Sequence, residues 1–335
     1  MPRKKKPTIY DVAERSGVSI STISRVLNAP DKVNSQTRKR VMEAIDHLGF
    51  VPKAEARAHA LKNTNRIGVL TPFFTAPSFV QRLRGVASTL SKANYELVIY
   101  PVDSVEHLQG YISSIPIMQN IDGLIIMSLA IDDKEAGRLH DNGMETVLIE
   151  YSHRQLNSIV INDWQGGRMV AEHFVKRGHT RAAFLGDIEP PEKSAIHPVK
   201  SRLLGFKEYL EEAGRTLPKQ YIGSCAYDSD ETSAVAREIL NLSKKPTAMF
   251  VASDMQALSV MKVARQMGLG IPDDLALVGF DDIDVAEHTD LTTVRQHLDE
   301  SGRLAVEILL SRIIDPNRPL QHMSLPLNLI ERQTS

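Results

Sequence analysis

Between Ser19 and Asn28 the chain sets Ser19, Ser21, Thr22, Ser24, Arg25 and Asn28 around the apolar residues Ile23, Val26 and Leu27. Apolar residues at i, i+3 and i+4 mark the inner face of a helix, so the hydroxyl, amide and guanidinium groups share the other face with Ile20. That set suits the surface of a nucleic-acid duplex. Ser19, Thr22, Ser24 and Asn28 are short enough to approach phosphates without holding a helix away from them. Arg25 offers two parallel donors that match O6 and N7 of guanine. Ile20 can lie against a thymine methyl, and Ser21 can make a small adaptable hydrogen bond to a base. No grouping of this quality points to catalysis. The chain lacks G-x-x-x-x-G-K-[ST], G-x-S-x-G and H-E-x-x-H. Gly268-Leu269-Gly270 has no third glycine, is followed by Pro272, and reads as a helix end. The eleven histidines show no ligand spacing, and the single cysteine, Cys225, excludes an internal disulfide or a multi-cysteine metal site. The expectation is a non-enzyme with no catalytic residues, no cofactor and no metal.

Three short helices must hold that polar face. Thr8 caps the first, answered by Asp11 at the third position, and Ile9, Val12 and Ala13 form its buried stripe. Gly17 ends it in the left-handed conformation and Ser19 caps the second. The third begins after Asn34, buries Val41, Ala44, Ile45 and Leu48, and stops at Gly49. Two helices joined by a short glycine-containing turn form the helix-turn-helix arrangement, whose second helix enters the DNA major groove. Charge agrees with this reading. Residues 1–62 carry thirteen Lys and Arg against six Asp and Glu, or +7, whereas the remainder is −8. A small basic head on an acidic body is the layout of a polyanion-binding module joined to something else. Beyond Gly49, an Ala-rich segment from Lys53 to Lys62 is too short to be a stable helix alone. It reads either as a linker or as a segment that orders against DNA and a partner chain.

At 335 residues, 42% hydrophobic and 24% charged, the chain has room for two or three folded domains. No run approaches the ~18 apolar residues of a membrane span. The basic N-terminus leads into Asp11, Glu14 and Arg15 rather than an apolar stretch, so no export signal is read there and a cytoplasmic location is expected. From Arg66 onward strands alternate with helices. The clearest strands are Ile67–Leu70, Leu97–Tyr100, Gly123–Met127, Val147–Ile149, Ser158–Ile161, Ala182–Leu185, Ala248–Ala252 and Leu275–Phe280. Amphipathic segments such as Val80–Ala93, Gly166–Arg177, Arg202–Ala213, Thr232–Leu242 and Met255–Met267 lie between them. Apolar strands with helical crossovers imply parallel sheets covered on both faces. Two Rossmann-like lobes fit better than one oversized sheet, with ligand in the cleft beyond the carboxyl ends of the strands.

At this point the chain resembles a known family. Thr8-Ile9-Tyr10-Asp11-Val12-Ala13, Gly17-Val18-Ser19, Thr22-Ile23-Ser24-Arg25-Val26-Leu27-Asn28 and Leu48-Gly49-Phe50 are similar to the head of the lac repressor (LacI/GalR) family of bacterial transcription regulators. Ile121-Asp122-Gly123-Leu124-Ile125, Arg177-Gly178-His179, Ile271-Pro272-Asp273-Asp274, Val278-Gly279-Phe280-Asp281-Asp282 and Leu329-Ile330-Glu331-Arg332 continue the likeness in the same order. It runs from about Thr8 to Arg332. The resemblance implies an α/β fold: a small all-α helix-turn-helix head, a hinge helix, and a two-lobed Rossmann-like core similar to periplasmic binding proteins. The corresponding domains are residues 1–51, 52–65 and 66–335. Within the core the expected lobes are about 66–162 with 293–321, and about 163–290 with 322–332.

The resemblance also implies a ligand-responsive repressor, acting as a homodimer on near-palindromic double-stranded operator DNA. Carried onto matching positions, Ile20, Ser21 and Arg25 would read bases. Thr8, Ser19, Thr22, Ser24, Asn28, Asn34 and Thr37 would face phosphates. In many relatives the hinge reads Ala-Arg-x-Leu, with the leucine wedged into the minor groove. Here Ala56-Arg57-Ala58 is followed by His59, and Leu61 lies two residues further on, so either could take the wedge position. For the cleft, Asp281 is an acceptor for two adjacent hydroxyls and Arg202 a forked donor for a carboxylate or ring oxygen. Either could instead serve the fold. Phe79 and Tyr227 stand where relatives place aromatics against a ligand. Ser78, Asn162, His197 and Asp254 complete the candidate set. Ile196 and Pro198 occupy positions that are polar in purine-sensing relatives, which favours a sugar or sugar acid over a purine. A solute-binding protein would explain the cleft but not the basic head. The end at Ser335, without a leucine-heptad extension, leads us to expect dimers rather than tetramers.

Overall fold

Thr8 starts the first helix as its sequence suggests: its backbone N–H and its hydroxyl both donate to Asp11 Oδ2, at 2.6 and 2.7 Å. In the computed structural model, which describes residues 7–28, 33–48, 64–188, 196 and 198–335 apart from the side chains of Leu27, Asn28 and Asp46, the chain divides into two units, Met1–Thr64 and Asn65–Ser335. The first unit holds α1 (Ile9–Ser16), α2 (Ile20–Asn28) and α3 (Ser35–Leu48). Gly17 closes α1 at φ 64°, a conformation that costs glycine nothing. Asn34 Oδ1 accepts from the N–H groups of Gln36 and Thr37 at 2.8 and 3.4 Å, which caps α3. Val12, Ile23, Val26, Val41, Ala44 and Ile45 form the core of this unit, with Ile9, Ala13, Val18, Val33 and Leu48 packed around it. Each large apolar side chain buried there stabilises the unit by about 1.5–3 kcal/mol. Gly49 and residues 50–63, the greater part of the expected hinge, lie outside the described residues.

The second unit contains two six-stranded sheets with one shared plan. In the first lobe the chain runs β1 (Arg66–Thr71), α4 (Pro77–Lys92), β2 (Glu96–Pro101), α5 (Val105–Met118), β3 (Gly123–Met127), α6 (Asp133–Asp141), β4 (Thr146–Ile149) and β5 (Asn157–Val160). The second lobe runs α7 (Asp163–Lys176), β6 (Ala182–Gly186), α8 (Pro198–Glu212), β7 (Ile222–Ser224), α9 (Ser229–Leu240), β8 (Ala248–Val251), α10 (Asp254–Gln266), β9 (Ala276–Asp281), α11 (Asp284–His288) and β10 (Thr292–Arg295). The chain returns to the first lobe for α12 (Leu298–Ile314) and β11 (His322–Ser324), then ends in the second with β12 (Asn328–Ile330). The strand orders are β2-β1-β3-β4-β5-β11 and β7-β6-β8-β9-β10-β12. In each sheet the order reverses beside the first strand, the topological switch point at which such sheets open a crevice.

Two expectations are corrected. The sheets are not wholly parallel, because β12 pairs antiparallel with β10. It enters directly from the other lobe, with no helix to turn it round. The lobe boundaries also move. Thr292–Arg295 belongs to the second sheet and His322–Ser324 to the first, so the lobes are joined at 161–162, 296–297 and 325–327 rather than near 293 and 322.

One packing device recurs in both lobes. A Cβ at Gly85 on α4 would fall 2.0 Å from the Asp299 carbonyl oxygen, and one at Gly302 on α12 would fall 2.2 Å from that of Arg82. In the other lobe, Gly167 on α7 and Gly205 on α8 stand 1.9 Å, by the same construction, from the carbonyls of Arg202 and Trp164. Backbone meets backbone at both crossings. Each fixes a helix that carries a buried arginine, Arg82 on α4 and Arg202 on α8.

Candidate functional site

On the head, α2 turns Ile23 and Val26 inward. Ser21 and Arg25 are exposed, and Ile20 is 38% exposed despite its apolar side chain. The Ser19 hydroxyl accepts from the Thr22 N–H at 3.2 Å and lies 2.8 and 2.9 Å from the hydroxyls of Ser21 and Thr22. Capping therefore positions three hydroxyls together at the start of this helix. Thr8 and Asn34 are exposed, and Thr22, Ser24 and Thr37 are half-buried. The Asn28 side chain, Ala56 and His59 lie outside the described residues. Sequence reasoning passed over Tyr10, which is 70% exposed on α1. Its signal was a large aromatic standing off the inward stripe of Ile9, Val12 and Ala13.

In the core, the carboxyl ends of both sheets carry strained residues. Ser128 (φ 55°) follows β3, Glu150 (φ 67°) follows β4, and Asp281 (φ 119°) ends β9 and is followed by Asp282 (φ 55°). Phe73 (φ 44°) and His297 (φ 54°) lie just beyond β1 and β10. None of the six is glycine. Non-glycine residues at positive φ persist only where surrounding structure enforces them, and they gather at ligand sites.

For Ser128, Glu150 and Asp281 the enforcing structure is a chain of polar contacts between the lobes. The Ser128 hydroxyl donates to Glu150 Oε2. Arg82 donates through Nη2 to Glu150 Oε1 at 2.5 Å and through Nε to the Ser301 hydroxyl at 3.1 Å, and its Nη2 also reaches Gln296 Oε1 at 3.5 Å. Gln296 in turn donates to Asp281 Oδ1 at 2.5 Å, in the other lobe. Burial pushes the Glu150 carboxyl up, but the Arg82 charge and the bonds from Ser128 and Arg82 outweigh it, so the group sits below the usual carboxylate range. For Asp281 burial prevails over Arg202 and Gln296, and its affinity for a proton rises.

Arg202 is held inside its own lobe. Its Nε donates to Asp163 at 2.8 Å, its Nη1 to the Ala252 carbonyl at 2.7 Å, and its guanidinium stacks 3.6 Å from the Phe280 ring centroid. The charge of Arg202 is felt at Glu150, Asp163 and Asp281, and that of Asp281 at Tyr227. Asp281 thus stands within electrostatic reach of both Arg202 and Tyr227. Tyr227 is 46% exposed. Phe79 is half-buried, with Phe73 edge-on at 6.2 Å and the Arg82 guanidinium 5.9 Å above its ring. Ser78, also half-buried, lies in the first turn of α4. Asn162 caps α7 by accepting from the Gln165 N–H at 3.0 Å, and it lines a cavity of about 400 Å³ with Asp163, Trp164, Ser201 and Ser324. A second cavity, of about 310 Å³, includes Asp281 in its wall. His197 lies outside the described residues.

Asp254 does not belong to this set. It is fully buried, its Oδ1 accepts from the Thr293 hydroxyl at 2.5 Å, and its Oδ2 accepts from the Ile283 N–H at 3.0 Å. Burial, with the Asp281 charge added, pushes its carboxyl well above the usual range. Asp254 ties three segments of one lobe together instead of facing a ligand. Arg82, Glu150, Ser128, Gln296 and Asp163 are the polar residues that sequence reasoning missed. Arg82 had a visible signal: it is a charge on the same helical stripe as Phe79, Val86 and Leu90.

Residues 8–53 match the family described as bacterial regulatory proteins, lacI family, and residues 171–335 match a periplasmic binding protein-like domain. The HTH-type transcriptional repressor PurR of Vibrio vulnificus is 31% identical, over 98% of this chain and 98% of its own. The chain belongs to the lacI family. Among solved structures, the lac repressor dimer bound to operator and the anti-inducer ONPF has a TM-score of 0.79 at 28% identity, covering 98% of this chain and 99% of that one. The transcriptional regulator CelR–cellobiose complex has a TM-score of 0.70 at 28% identity, covering 98% and 100%. Like these lacI-family relatives, the protein is a transcription regulator and not an enzyme. Among the described residues no helix is long and apolar enough to cross a membrane.

Proposed function

We propose that this lacI-family regulator binds operator DNA through the exposed face of α2 and adjusts that binding through a small molecule held between its two lobes. Ile20, Ser21 and Arg25 read base edges. Thr8, Ser19, Thr22, Ser24, Asn28, Asn34 and Thr37 face phosphates, and Ala56 and His59 belong to a hinge in the minor groove. The working unit is a homodimer on a near-palindromic site in the cytoplasm. The observation that carries the effector half is the set of strained, non-glycine residues at the carboxyl ends of both sheets, centred on Glu150 and Asp281.

The effector is of carbohydrate type, a sugar or sugar acid. Asp281 and Glu150 offer acceptors for neighbouring hydroxyls, and Phe79 and Tyr227 supply flat apolar faces of the kind that stack on a sugar ring. The CelR relative holds cellobiose, which supports the same class. A thermal-shift screen of sugars, sugar acids and nucleobases tests this. A true effector raises the midpoint by mass action, and Asp281→Asn should abolish the shift while leaving operator binding without ligand intact. A shift that survives Asp281→Asn would place the ligand elsewhere, and a response to nucleobases alone would replace the sugar with a purine.

A further inference from the structure

We infer that Arg84 and Asp284 form an ionic clasp between the lobes that biases closure of the effector cleft. The inference rests on the cleft reading above and concerns its regulation.

Arg84 lies on α4 in the first lobe. Its Nε and Nη2 donate to Asp299 on α12 of the same lobe, at 2.9 and 2.8 Å. Its Nη1 and Nη2 donate to Asp284, the first residue of α11 in the second lobe, at 2.7 and 3.2 Å. One guanidinium thus holds a carboxylate of each lobe in two-pronged geometry, the form that gives an arginine–carboxylate pair its directional specificity. The two halves of the contact respond differently to motion. Arg84 and Asp299 sit beside the Gly85–Gly302 crossing, where α4 and α12 meet backbone to backbone, so their separation is fixed within one lobe. Asp284 follows the Asp281–Asp282 turn and travels with the other lobe. A change in lobe angle must therefore stretch Arg84–Asp284 while leaving Arg84–Asp299 intact. Asp299 keeps the guanidinium aimed at the place to which Asp284 returns.

Position links the clasp to the effector. Arg84, Asp284 and Asp299 line the same cavity of about 310 Å³ as Asp281. The three side chains are 54%, 65% and 41% exposed, so salt screens them and the attraction is modest. A modest contact made in one state only still shifts a balanced equilibrium, which is what regulation of a hinge requires.

The test needs no ligand. Spin labels at Ser91→Cys in the first lobe and Ser243→Cys in the second, in full-length Cys225→Ser protein, report the distance between lobes by electron double resonance. Arg84→Ala and Asp284→Asn should each move the population toward longer distances by about twofold to fivefold. The double variant should do no more than either alone, and 1 M salt should reproduce the effect in the parent protein but not in the variants. Distances unchanged in both variants would overturn the clasp, as would full additivity of the two changes. If the distances respond but no compound in the screen binds, the clasp stands and the effector reading fails instead.

Discussion

The head and the core spend their polar side chains in opposite directions. On the head, Ser21 and Arg25 point outward from α2 while a small apolar cluster holds the helices together. In the core, Arg82, Glu150, Arg202, Asp163 and Asp281 are turned inward, and each is hydrogen-bonded to another part of the protein. The difference follows from solvation. A surface that must exchange water and counterions for phosphate keeps its donors hydrated until the partner arrives. A cleft that must recognise a small molecule holds its groups fixed in advance, which confines charge to a place where each ion needs a partner. Changes in the core should therefore register first as lost stability, and changes on the head as lost affinity.

The largest expected effect breaks the core side of that contrast. Arg82→Met strands the Glu150 carboxylate in a buried position, and unpaired buried charges of this kind cost about 3–5 kcal/mol. Chemical denaturation should show that loss, and Arg82→Met with Glu150→Gln should recover much of it. If Arg82→Met alone left the unfolding midpoint in place, the inward network would not be holding the cleft. A smaller effect sharpens the head side. Arg25→Ala should weaken operator binding by about 1–3 kcal/mol and relax the choice of base at one position. Its unfolding midpoint should match that of the parent protein, because the side chain is exposed. A matching loss of stability would show that Arg25 serves the fold of the head rather than its partner.

Much of this was legible in the sequence where the signal is local. The Thr8–Asp11 pair, Gly17 and the i, i+3, i+4 stripes locate the helices of the head because caps and periodicity act within a few residues. The eight strand runs named from the sequence all overlap strands, six of them because nearly every residue in them is buried; Leu97–Tyr100, on the edge strand β2, and Ser158–Ile161 are only partly buried, with Ile99 exposed. The short strands β7, β10, β11 and β12 were not named. Their three or four residues are partly polar, as in the buried pair Thr292–Thr293, and what makes them strands is a neighbour far away in the chain. The seventeen-residue helix α12 also went unnamed, because its apolar residues spread round more than one face. The cleft was half legible. Asp281 and Arg202 stood out by type and place, but the partnership of Arg82 with Glu150 joins residues 68 apart. Asp254 reads like a cleft acid from its motif, and only the position of Thr293 shows that it is spent inside the lobe.

The central claim is that an outward-facing head and an inward-facing cleft are coupled. Fluorescence anisotropy of the intact protein, titrated onto a duplex selected from a random library, tests it with and without a compound that raises the melting midpoint. Coupling predicts that the compound changes duplex affinity by about 5–150-fold in one direction, and that Asp281→Asn removes the change. An affinity identical with and without every stabilising compound, or no preference for the selected duplex over random DNA, would contradict it.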